Sequence, residues 1–181
     1  MEHMFQKQNS LDFEVVLVLL EGGNHLRGLS KAVGAPASTV KRSVDRLVED
    51  NILDARRSGK NRVFSLRQTI EARTCILAAE NYKALKCLRR YPHLAPVMER
   101  ALEDCGGMVI LFGSHTGFSA KKGSDIDIYC ERLDGEIKGA SVKTGKFDLT
   151  SPLVREIINN HAIFRGAEEF YERLGTFKEG G

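Results

Sequence analysis

Between Leu11 and Leu20 the apolar side chains Phe13, Val16, Leu17 and Leu20 recur at the spacing that lines one face of a helix. Ser10 stands where a hydroxyl caps such a helix, and Gly22-Gly23-Asn24 where it must stop. The pattern resumes over His25 to Val33, with Leu26, Leu29, Ala32 and Val33 turned inward. It breaks at Gly34-Ala35-Pro36 and returns from Ala37 to Asp50, with Val40, Val44, Leu47 and Val48 as the buried stripe. From Ile52 the period shortens, and "ILDARRSGKNRVFSL" predicts two short strands around Ser58-Gly59-Lys60-Asn61. A long helix follows from about Thr69 to Tyr91, carrying Ile70, Ile76, Leu77, Tyr82, Leu85 and Leu88, with Pro92 marking its end.

The second half alternates helix and strand. "LAPVMERALED" predicts an amphipathic helix from Leu94 to Asp104, "MVILF" a buried strand, Gly113-Ser114 a tight turn and "DIDIYC" a second strand. "ASVKTGKFDLTSP" supplies a later strand with Asp148 in its middle, between apolar Phe147 and Leu149. Ser151-Pro152 reads as a helix cap and first helical residue, opening a helix to about His161. "AIFRGAEEFYERL" adds a final helix. The reading is an α+β chain in three segments: 10–68, a linker helix over 69–91, and a mixed sheet with helices over 92–181.

At 181 residues the chain can bury one ordinary core or two small ones. A hydrophobic share of 42% with 28% charged residues excludes a disordered chain. The longest apolar run, Val15 to Leu20, is too short to span a bilayer, and "MEHMFQKQNS" lacks the features of a signal peptide. The scattered Cys75, Cys87, Cys105 and Cys130 form no C-x-x-C pair, as expected of buried thiols in a reducing cytoplasm. Charge is uneven: up to Tyr91 there are 16 Lys and Arg against 10 Asp and Glu, and from Pro92 onward 11 against 14. A basic first half points to a polyanionic partner.

The short helix, glycine-containing turn, longer helix and hairpin resemble a winged helix-turn-helix domain over about residues 10–68. The resemblance implies double-stranded DNA as partner, with Ser38, Thr39, Lys41, Arg42 and Arg46 on the outward face of the recognition helix. Arg56, Arg57, Lys60 and Arg62 on the hairpin would neutralise flanking phosphates. The alternatives are a solvated basic helix face and a protein-interaction role. The long helix bridges the two modules or pairs two copies in a homodimer, as DNA-reading helix-turn-helix proteins commonly do.

In a strand, residues two apart share a face, so Asp125 and Asp127 face one way while Ile126 and Ile128 face the other. Two like charges on one face call for a cation, and Mg²⁺ is held by one or two carboxylates plus substrate phosphates. The Gly-Ser turn lets backbone N–H groups and a hydroxyl approach those phosphates. Asp148, on the same sheet face, would be a further metal ligand or the base that activates an attacking hydroxyl.

Gly113-Ser114, the gap before Asp125-Ile126-Asp127, and a distant Asp148 resemble the minimal nucleotidyltransferases of the DNA polymerase β-like superfamily, over about residues 92–171. The resemblance implies transfer of a nucleoside monophosphate from an NTP, usually ATP, to an acceptor hydroxyl. Asp125, Asp127 and Asp148 would bind divalent ions, Mg²⁺ or Mn²⁺, and Gly113 and Ser114 the triphosphate. Asp148 would also deprotonate the acceptor. The chain departs from the family at Gly117 and Phe118, where many relatives carry arginine and glycine. Lys121 and Lys122 either substitute for that arginine at the triphosphate or are solvated loop residues. His115 is a polar neighbour with no assigned role. Three functions are open: a DNA-binding regulator with an active transferase, a catalytically silent nucleotide sensor acting on DNA binding, and an antitoxin that modifies a HEPN-type toxin partner.

Overall fold

The computed structural model describes the backbone of residues 2–177 and the side chains of 10–177. Among these the protein is α+β, with seven α-helices and two sheets, and it divides into two compact units at Tyr82/Lys83.

The first unit runs α1 (Glu2–Leu20), β1 (Asn24–His25), α2 (Leu26–Val33), α3 (Ala37–Glu49), β2 (Leu53–Ser58) and β3 (Asn61–Leu66). It also contains the opening turns of α4 (Ile70–Arg90). β1, β3 and β2 form an antiparallel sheet in that order. Val15, Val16, Leu29, Val40, Val44, Leu47, Leu53 and Phe64 close the core. Gly34, at φ +65°, ends α2 and turns the chain into α3, a left-handed conformation that glycine adopts without a Cβ penalty. Asn51, at φ 62°, performs the same reversal after α3, and its carbonyl accepts the Thr69 hydroxyl at 2.8 Å. Thr69 then accepts the Ala72 N–H at 3.2 Å and so opens α4.

Several expectations are corrected here. Ser10 lies inside α1, which already runs from Glu2, so it is not the residue that opens the helix. Ala32 is exposed and Val48 only half-buried. On α4 the buried stripe is Ala72, Ile76, Ala79, Ala84 and Cys87, whereas Ile70 and Leu85 are exposed. Small residues let the neighbouring backbone approach, so the packed stripe is not the one with the largest side chains.

The second unit comprises the end of α4, α5 (Leu94–Asp104), β4 (Cys105–Phe112), β5 (Ile126–Leu133), β6 (Ala140–Thr144), α6 (Pro152–Asn159), β7 (His161–Arg165) and α7 (Ala167–Arg173). The sheet order is β6-β5-β4-β7, with β5 and β6 parallel and the other pairs antiparallel. One face carries Val109, Leu111, Ile126, Ile128 and Cys130 against Leu94, Met98 and Ala101 of α5. On the other, the rings of Tyr129, Phe147 and Phe170 pack in sequence at 5.8 and 5.4 Å. Residues 161–165, expected as helix, form β7 beside β4, and Gly166 at φ 84° precedes the true helix.

The excess of positive charge shifts with the observed boundary. Lys83, Lys86, Arg89 and Arg90 at the end of α4 belong to the second unit. The first unit is therefore basic in places rather than as a whole.

Candidate functional site

In the first unit, Ser38, Thr39 and Arg42 are exposed on the first turns of α3, and Arg42 has no carboxylate partner among the described residues. Lys41 forms an exposed ion pair with Asp45 one turn on, an interaction of a few tenths of a kcal/mol that a phosphate can displace. Arg46 is different. Its Nε donates to Asp12 Oδ2 at 2.9 Å and its terminal nitrogen to Oδ1 at 2.6 Å, while Ser43 donates to the same carboxylate. Asp12 is buried, so Arg46 fastens α1 to α3 and is corrected from a DNA-facing residue to a structural one.

The hairpin turns over Gly59 and Lys60, with Gly59 at φ +58°. Arg56 is held by Asp54 at 2.7 Å. Arg57 and Arg62 occupy directly opposed positions across β2 and β3. Like charges so placed destabilise a sheet pair. Among the described residues neither has a carboxylate partner; Arg62 instead lies 5.5 Å over the Phe64 ring. Arg27 and Lys31 were not read from the sequence as interface residues, yet both are exposed on α2 one helical turn apart. Their i, i+4 spacing in "RGLSK" was the available signal.

In the second unit, Gly113–His115 forms a short 3₁₀ turn at the end of β4. Gly113 adopts φ +77°, which is strained for a residue with a side chain, and a Cβ there would lie 3.0 Å from Asp127 Oδ2, so glycine suits this close approach to the carboxylate. Asn160, unread from the sequence, pins the turn: its Nδ2 donates to Gly113 O at 2.9 Å and its Oδ1 accepts the Thr116 hydroxyl at 2.8 Å. Asp125 is exposed just before β5, and Asp127 is half-buried opposite Ile126 and Ile128. Burial, and next the charge of Asp125, push the Asp127 carboxyl above its usual range. Lys143 opposes that shift and Glu156 adds to it. Two carboxylates beside a glycine turn fit a divalent ion shared with substrate phosphates.

Asp148 does not join them. β6 ends at Thr144, which pairs with Cys130, about 10 Å along the strand from Asp127 at ordinary strand rise. Gly145, at φ 145°, then takes the chain out of the sheet. Asp148 is exposed in the following turn, accepting the N–H and hydroxyl of Thr150 at 2.9 and 2.8 Å, which hold it below the usual carboxylate range. The β6 position opposite Asp127 is Ser141. Among the described residues no three His, Cys, Asp or Glu side chains group as metal ligands. The expectation of a third carboxylate on this sheet face is thus corrected.

His115 is buried, its ring 5.0 Å from Tyr91 and its Nε2 3.4 Å from that of His93. Burial, followed by the charge of His93, pulls its pKa down. Phe118, next in the loop, is 39% exposed at φ 55°, with the Lys86 ammonium 5.3 Å from its ring. Lys121 and Lys122 are exposed further along.

No family model and no curated protein matches the chain. Solved structures that bear a likeness to it include the following two. A DNA-binding protein, Sso10a-2 from Sulfolobus solfataricus, is 13% identical with a TM-score of 0.37, over 52% of this chain and 92% of that one. HmgR from Pseudomonas aeruginosa is 21% identical with a TM-score of 0.28, over 76% of this chain and 52% of its own. Both scores are too low for either likeness to carry a fold or a function over. No helix among the described residues is long and apolar enough to cross a membrane.

Proposed function

We propose that the protein is a DNA-binding regulator whose second unit senses a nucleoside triphosphate with Mg²⁺ rather than transferring it. The element order of the first unit, with α2, α3 and the β2–β3 hairpin, is that of a winged helix-turn-helix. In this reading Ser38, Thr39 and Arg42 meet base edges and nearby phosphates in the major groove, and Arg57, Lys60 and Arg62 neutralise phosphates beside it.

One observation carries the DNA reading: Arg57 and Arg62 oppose each other across the hairpin without a carboxylate. A polyanion turns that repulsion into attraction. The sensing role is supported by the Gly113 turn against Asp127, and silence by Asp148, which lies beyond the end of β6 and is engaged by Thr150. Gly113 and Ser114 would approach the phosphates, and Asp125 and Asp127 the Mg²⁺ they bind.

The test is a selection from random duplex DNA with the full chain, repeated with ATP and Mg²⁺, alongside incubation with labelled NTPs. The reading expects an enriched sequence whose affinity changes with ATP, and no transferred label. Label on an acceptor would instead establish the transferase; failure to enrich any duplex would remove the DNA role.

A further inference from the structure

Phe118 has a backbone that an aromatic residue does not adopt without cause. At φ 55° it occupies the left-handed region, where the Cβ of an L-residue crowds the following carbonyl. Such outliers persist where the surroundings over-determine them, and they gather at ligand sites. Here the surroundings are the phosphate turn itself. The Ser119 and Ala120 N–H groups donate to Ser114 O at 3.0 and 3.1 Å, and the Gly117 N–H donates to Gly113 O at 3.3 Å. These bonds fold the loop back onto Gly113 and Ser114, and Phe118, at its bend, is 39% exposed.

The ring is not simply stranded in solvent. The Lys86 ammonium lies 5.3 Å from its centroid, and Lys121 and Lys122 are exposed on the same loop. An open aromatic surface among cations suits a flat, anionic ligand. We infer that Phe118 is the base-stacking residue of this unit, holding the purine of a nucleoside triphosphate whose phosphates extend to the Gly113–Ser114 turn. The inference rests on the nucleotide reading above and adds the selector for the base.

Calorimetry with the full chain separates the two. ATP with Mg²⁺ and inorganic tripolyphosphate with Mg²⁺ are titrated into the parent, Phe118→Gly and Phe118→Trp. Glycine adopts the same φ without strain, so Phe118→Gly keeps the fold, checked by far-UV circular dichroism, and removes only the ring. It should weaken ATP binding by about tenfold, the scale of losing one base–aromatic stack, and leave tripolyphosphate binding within about twofold. Phe118→Trp should retain ATP. Equal ATP affinity in the parent and Phe118→Gly overturns the stacking role and leaves the nucleotide reading standing. Equal loss of both ligands also overturns it, since the ring would then act on the phosphate turn and not on the base. A parent that binds neither ligand overturns both the inference and the reading beneath it.

Discussion

At the scale of single residues, the signals legible in the sequence were those whose partners lie close along the chain. Gly113-Ser114 and the Asp125/Asp127 alternation could be read because turn and strand periodicity are local. Arg46 could not: the Asp12 that captures it is 34 positions away, and a basic residue on a helix looks the same whether it faces solvent or a buried carboxylate. Removing Arg46 with Arg46→Ala should therefore destabilise the first unit by about 2 kcal/mol, because the buried Asp12 carboxylate loses its charged hydrogen bonds. Arg42→Ala should leave stability unchanged, and denaturant unfolding of both variants checks the contrast. Asp127 yields a second prediction. Burial and the charge of Asp125 raise its native pKa above that of an ordinary aspartate, so the fold disfavours its charge; that penalty is present at neutral pH and fades as pH falls through the raised native value. Asp127→Asn should raise the melting temperature at pH 7 and bring no gain near pH 3. His115 has the opposite dependence. Its native value lies below 6.5, so stability is full above that pH and falls as pH drops from 6.5 through the lowered native value. His115→Gln should flatten that part of the profile.

At the scale of elements, helices α3 and α5 were readable almost to the residue, because their apolar stripes repeat over several turns and their ends carry Pro36 and the Cys105-Gly106-Gly107 break. β6 and β7 were not. A five-residue apolar run such as "HAIFR" is compatible with strand or helix until a neighbouring strand is known, and here β4 decides it. Extending β6 through Gly145 placed Asp148 on the sheet, whereas the parallel register puts Ser141 opposite Asp127. The β2–β3 hairpin bears its own prediction. Arg62→Gln removes one member of the opposed Arg57/Arg62 pair, so stability should rise by a few tenths of a kcal/mol while DNA affinity falls for every sequence alike. Arg42→Gln should instead change which sequences are preferred. Binding titrations on a selected and a scrambled duplex distinguish these outcomes.

At the scale of the whole molecule, the two-module reading anticipated a division of the chain, and the contacts set it at Tyr82, inside the long helix. Charge counted by halves misled, since four cations at the end of α4 belong to the second unit; what points to DNA is the local opposition of Arg57 and Arg62. The direct test is the affinity of the full chain for a selected duplex, measured by fluorescence anisotropy across a salt series, for the parent and for Arg42→Ala/Arg57→Ala/Lys60→Ala. Contact with about four phosphates predicts a loss of about 10²-fold in affinity between about 50 and about 200 mM salt. The triple variant should bind more weakly at every salt concentration, with a shallower slope. Binding that is absent at low salt, or equal in parent and variant, would contradict the assignment of this surface to DNA.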